Sequence, residues 1–201
     1  MIKNKFIILL ILFSLSNLSL FAEKTIKIGA YENKPKIFTN NNGETVGFWV
    51  DITNYIAAKE KWKIEWVTSN WEECLQKLKN NEIHIMVDVG ESSARKEKFI
   101  FSKETVLLSC TVLYTQKGTN LQSIFELEGR TIACLKKSIN LSGSQGLKAN
   151  LKNSNINCKI IEMTNYSKIF EAISKGEIFA GITNKDFGAE NEINIMSKEV
   201  L

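Results

Sequence analysis

Apolar and polar positions follow two rhythms along this chain, and the rhythms take turns. Short apolar runs with β-branched residues fall at 25–30, 63–67 and 83–87. Such runs predict strands. Between them, 50–59 sets Ile52, Tyr55, Ile56 and Ala57 on one side of a helix, and the stretch after Ser69 does the same with Trp71, Cys74, Leu75 and Leu78. Ser69 and Glu72 have the spacing of a capping box, which predicts the helix start there. The order is β-α-β-α-β. It then returns: a strand at 131–135, a helix at 139–151 whose start is weakened by Gly143 and Gly146, and a strand at 157–163. A helix capped by Thr164 or Asn165 runs to Lys175, with Gly176 at its stop, and 178–183 is the last strand of the copy. The β-type run 105–116 predicts a crossing between the copies, and 193–201 the start of a return crossing.

Two such units facing each other make a cleft, so the expected class is α/β with two lobes. In open α/β sheets, ligands bind outside the carboxyl ends of the strands. In the first lobe those ends are followed by Tyr31, by Trp71 at a helix start, and by Asp88 with the segment that carries Arg95. In the second lobe they are followed by Ser138 and Asn184. An aromatic platform, an acid, a guanidinium, a hydroxyl and an amide suit a small polar molecule. Arg95 stands out because the chain has 26 basic residues and uses lysine for all but Arg95 and Arg130. A guanidinium grips a carboxylate with two parallel hydrogen bonds, which an ammonium cannot do. Asp88 reads either as a ligand contact or as the cap of the Arg95 turn. His84, alternating with apolar neighbours, reads as a packed structural histidine.

The first 22 residues differ from the rest. Lys3 and Lys5 precede an apolar stretch at 6–21, and Ala22 ends it. This is the pattern of a signal peptide cleaved after Ala22, so the mature chain is expected in the periplasm. The stretch is short for a spanning helix, which needs about 20 apolar residues, and an uncleaved anchor is the alternative. Cys74 is the first cysteine, so no lipid anchor can form near Ala22. Part of the formal charge of +4 leaves with Lys3 and Lys5. The remaining basic residues do not cluster with exposed aromatics, so no nucleic-acid partner is expected.

Composition of 44% hydrophobic and 24% charged residues is that of an ordinary globular protein. Cys74, Cys110, Cys134 and Cys158 are scattered, with no C-x-x-C pair, which argues against zinc and thioredoxin-like chemistry. Cys134 and Cys158 lie in two apolar runs and are either bridged or reduced. The glycines at 143 and 146 do not form a phosphate loop, because no Gly-Lys-Ser/Thr follows. No metal or cofactor is expected, and no nucleophile–base pair is visible.

With those residues in view, the chain resembles the bacterial extracellular solute-binding proteins of family 3, two-lobed periplasmic binding proteins. The matching pieces are 28–38, 42–48 followed by Asp51, 71–78, the Arg95 segment through Ser102, and 127–132. These pieces follow the family's order from residue 28 to residue 132. The wording around Tyr31-Glu-Asn and Met86-Val-Asp is closer to versions fused to membrane sensors, such as histidine kinases and diguanylate cyclases.

The resemblance implies the periplasmic binding protein-like II fold. It assigns 1–22 to the signal peptide, 23–113 to lobe 1, 114–192 to lobe 2 and 193–201 to the return crossing, with the rest of lobe 1 missing. Arg95 would bind a ligand carboxylate, Trp71 would pack against the ligand, and Ser138 would serve the second lobe's binding loop. There are departures. Asn184 stands where the family usually has an acid for the ligand's ammonium, so Asp88 is the candidate to replace it. His84 and Phe179 stand where aspartate is frequent.

The function implied is extracytoplasmic binding of an amino-acid-like or carboxylate solute, as the input domain of a membrane sensor. The alternatives are the free binding component of an ABC amino-acid transporter, working with its permease, and a dehydratase or lytic-transglycosylase-associated domain in which Asp88 or Glu32 would act on protons.

Overall fold

A computed structural model describes residues 23–189 and 195–198. The predicted signal peptide and most of the predicted return crossing lie outside these residues. The first sheet is built on β1 (Lys24–Ala30), which lies between two parallel neighbours, β4 (Trp62–Thr68) and β5 (Ile85–Met86). β1 and β4 pair along their whole lengths, from Lys24 opposite Trp62 to Ala30 opposite Thr68. A small hairpin of β2 (Phe38–Thr39) and β3 (Thr45–Val46) precedes helix α1 (Phe48–Glu60). Helix α2 (Trp71–Lys79) joins β4 to β5, and the single turn α3 (Ser93–Lys96) follows β5.

The second sheet has the order β10-β6-β9-β7-β8, with β6 at Thr111–Gln116, β7 at Thr131–Leu135, β8 at Lys159–Met163, β9 at Ala180–Asn184 and β10 at Ile195–Lys198. Here β7 is flanked by parallel β8 and β9, as β1 is by β4 and β5. The repeat read from the sequence is therefore a repeat of topology: in each copy the first strand is central. α4 (Ile139–Ser142) and α5 (Leu147–Asn153) connect β7 to β8, α6 (Tyr166–Ser174) connects β8 to β9, and α7 (Lys185–Ala189) follows β9.

The core follows from this alternation. Ile26, Ile28 and Ala30 of β1 are buried, and Cys74 of α2 and Ile83, also buried, close over Gly29. In the second sheet Ala133 packs with Ile169 and Ile173 of α6, while Ile132, Cys134, Ala180 and Ile182 are buried in a separate cluster with Leu141, Leu147 and Leu151. Cys134 and Cys158 are free thiols, the first buried and the second partly so.

Several boundaries differ from the sequence reading. Only 111–116 of the crossing run forms a strand, and it joins the second sheet two residues before the expected division at 113. The third strand of lobe 1 shrinks to two residues, because the backbone turns left-handed at Asp88 (φ 57°). The expected helix at 139–151 is two short helices. A side chain at Gly143 or Gly146 would meet the Ile139 carbonyl oxygen at 2.6 or 2.8 Å, so the break needs both glycines. His84 is exposed rather than packed; its Nδ1 accepts from the Lys27 N–H at 2.9 Å.

Candidate binding cleft

The carboxyl ends of the strands from both sheets meet. A pocket of about 180 Å³ opens between them, lined by Tyr31, Glu32, Ser69, Asn70 and Trp71 from the first lobe and by Leu135, Thr164 and Asn165 from the second. Asn70 starts α2: its Oδ1 accepts from the Glu73 N–H at 2.9 Å, and Glu73 Oε2 accepts from the Asn70 N–H at 3.3 Å. That reciprocal cap sits one residue after the one read from Ser69 and Glu72. It fixes Trp71 in the first turn, where the indole is buried edge-on to Tyr31 with ring centroids 4.9 Å apart. The indole N–H has no acceptor among the described residues.

Arg95 lies over the same indole, its guanidinium carbon 5.2 Å from the ring centroid. Ser92 caps the Arg95 turn, its hydroxyl accepting from the Arg95 N–H at 3.3 Å, so Asp88 does not have that task. The guanidinium donates to two backbone carbonyls, Gly90 O at 2.7 Å in its own lobe and Lys137 O at 3.1 Å across the gap. Among the described residues no carboxylate pairs with it. Burial accordingly pulls its pKa below the ordinary arginine value.

Asp88 is the centre of a second group. Its carboxylate accepts from the Tyr31 hydroxyl at 3.1 Å, from the Asn33 amide, and from Lys36 Nζ at 3.0 and 3.1 Å. Burial, with Asp88 beside it, raises the Tyr31 pKa well above the ordinary phenol. Lys36 was not anticipated. It is only 5% exposed, an unusual state for lysine, and it also reaches Asp186 of α7 at 3.5 Å. The loop that turns it inward is tied by Asn33 N–H to Ile37 O at 2.8 Å and contains the cis Lys34–Pro35 peptide. The sequence signal is thin: one lysine between Pro35 and apolar Ile37 in a lysine-rich chain.

Asn184 joins the lobes at this group. Its amide donates to Asn33 Oδ1 at 3.0 Å, and its own Oδ1 accepts from the Phe187 N–H at 3.0 Å. Ser138 is buried and caps α4, accepting from the Asn140 N–H at 3.1 Å. Both side chains lie beside Tyr166, whose phenol is pushed up to about 12, mainly by burial. Tyr31, Trp71, Asp88, Arg95, Ser138 and Asn184 are thus gathered at one junction of the lobes, with only Tyr31 and Trp71 on the wall of the open pocket. Arg130 lies elsewhere, over the Phe179 ring at 4.7 Å.

A two-lobed α/β architecture with its cleft at the strand ends defines a class of binding proteins, and the comparisons name it. The chain belongs to the bacterial extracellular solute-binding proteins, family 3, whose sequence profile matches residues 26–189. It is 22% identical to the probable amino-acid-binding protein YxeM of Bacillus subtilis (strain 168) over 70% of this chain and 52% of that protein. It is 24% identical to a probable histidine-binding protein of Campylobacter jejuni over 83% of this chain and 64% of that one. The chain therefore spans roughly half to two thirds of the length of these relatives. Among solved structures, an ancestral arginine-binding protein bound to arginine superposes with a TM-score of 0.76 at 21% identity, covering 86% of this chain and 77% of that one.

Proposed function

We propose that this chain is a non-enzymatic binding module that closes its two lobes over a small polar solute bearing a carboxylate, with Arg95 as the grip. One observation carries the reading. A partly buried guanidinium sits at the lobe junction on the face of Trp71, and among the described residues its charge is met by carbonyl dipoles but by no acid. Among the same residues the Trp71 indole N–H beside it also lacks an acceptor. A carboxylate guest supplies what both donors lack. A hydrogen bond to a charged group is worth roughly 1.5–3 kcal/mol net, so Arg95→Ala should weaken binding by about 10- to 150-fold. Calorimetry with a guest found by thermal-shift screening of small carboxylates measures it; an unchanged affinity rejects the role of Arg95.

The module works outside the cytoplasmic membrane, as its family does. Its output is a membrane sensor, supported by the wording of the segments around Tyr31 and Met86. Delivery to an ABC permease is the second reading, favoured by a putative amino-acid ABC transporter-binding protein of Vibrio harveyi that is 28% identical over 43% of this chain. The gene locus separates them: a membrane helix and signalling domain in the same reading frame mark a sensor, and adjoining permease genes mark a transporter.

A further inference from the structure

The binding reading leaves the chemical class of the guest open, and the hydrogen-bond ledger of the junction narrows it. The buried acceptors at the junction are engaged. Both Asp88 oxygens are taken by Lys36, Tyr31 and Asn33, and Asp186 faces the same Lys36 ammonium. The Asn184 and Asn33 amide oxygens accept from Phe187 N–H and from Asn184 respectively. The Ser138 hydroxyl oxygen accepts from Asn140 N–H. The Gly90 and Lys137 carbonyls are held by Arg95. Two donors are not: among the described residues Arg95 meets no anion and the Trp71 indole N–H meets no acceptor. The junction thus holds donors that lack an anion, and its buried acid already has a cation.

We infer that the guest carries a carboxylate but no α-ammonium: a small 2-oxo or 2-hydroxy carboxylate, not an amino acid. The inference rests on the carboxylate-binding role proposed for the cleft. The physical reason is desolvation. An α-amino acid brings an ammonium with three N–H donors and a full charge. Closing the lobes strips its water, and an unpaired charge in such a place is strongly disfavoured. Lys36 already supplies Asp88 with an ammonium from within the protein, in the place an α-ammonium would otherwise take. A keto or hydroxyl oxygen in the same position can instead accept from the donors that remain. Glu32 is the one acid on the pocket wall, but it is exposed to solvent and receives only a long bond from the Thr39 N–H. It does not change this balance.

The test compares matched guests that differ only at the α-carbon, by calorimetry on the chain as it stands. Suitable sets are L-alanine, L-lactate and pyruvate; L-leucine and 4-methyl-2-oxopentanoate; and L-glutamate, 2-hydroxyglutarate and 2-oxoglutarate. Within any set that binds, the oxo or hydroxy member should be tighter than the amino acid by about tenfold or more. Lys36→Met, which frees the Asp88 carboxylate, should move the preference toward the amino member. The wild-type ranking decides the matter even if Lys36→Met does not fold. Amino acids binding as tightly as their oxo partners would overturn the inference while leaving the carboxylate reading intact, and a preference for amino acids lost in Glu32→Gln would give the ammonium to Glu32. Guests whose affinity ignores Arg95→Ala, or a complete lack of carboxylate binding, would remove the carboxylate reading and this inference with it.

Discussion

Lys36 can be held inside the protein only because Gly47 lets two chain segments touch. Gly47 has φ 119°, and a Cβ there would meet the Lys36 and Pro35 carbonyl oxygens at 2.7 Å. Backbone atoms cannot step aside as a side-chain end can. Trp49 N–H also donates to Lys36 O at 2.9 Å, so the loop and the start of α1 are one unit. Gly47→Ala combines a left-handed strain with an overlap, each worth roughly 1–3 kcal/mol. It should lower the denaturant midpoint by that order with little change in slope, and weaken guest binding because Lys36 is displaced. A midpoint equal to wild type would show that the loop is free to move. At this scale the sequence was uneven. The place of Arg95 at the lobe junction was legible because it follows a strand end in a chain where arginine is rare. Lys36 was not, because nothing local separates a lysine that turns inward from its many solvated neighbours.

The elements were legible where periodicity is strong and blurred where two signals compete. Ser69 with Glu72 and Asn70 with Glu73 both have capping-box spacing. The second forms because Ser69 is still part of the extended chain, its N–H donating to Ala30 O at 2.9 Å. The shift matters, since it frees Glu72 to point across the cleft. Asn70→Ala removes the acceptor for Glu73 N–H and should cost about 1 kcal/mol. For a domain of this size that is a fall of roughly 2–4 °C in melting temperature. Because α2 begins with Trp71, guest affinity should fall too, which calorimetry separates from the stability loss. The 139–151 helix was misread for a related reason. Its apolar spacing survives the break at Gly143 and Gly146, so periodicity alone runs straight through a turn.

At the scale of the whole molecule, the paired β-α-β-α-β units were readable because each copy repeats the same order of apolar runs. How the two copies touch was not readable, since the contacts join residues far apart in sequence. One of them makes a further prediction. Glu72 of lobe 1 pairs with Lys137 and Lys136 of lobe 2 at 2.8 and 2.9 Å, beside the Arg95 bond to Lys137 O. These lysines hold the Glu72 carboxyl below its ordinary value of 4.5 while the lobes are in contact here. In an opened molecule, without its partners, Glu72 would return to that value. A group whose pKa is lower when the lobes are closed favours closure above the ordinary value, and the contribution disappears as pH falls through the lowered one. The pair is accessible to water, so its contribution is modest and is screened by salt. Small-angle scattering should therefore find Glu72→Gln more open than wild type near neutral pH at low salt. The difference should shrink as the solution is taken well below the ordinary glutamate value, where wild type loses the same charge. It should also shrink at about 1 M salt, where the screening length is about 3 Å. A difference that persists unchanged at low pH would mean that Glu72 holds the lobes by shape and not by charge.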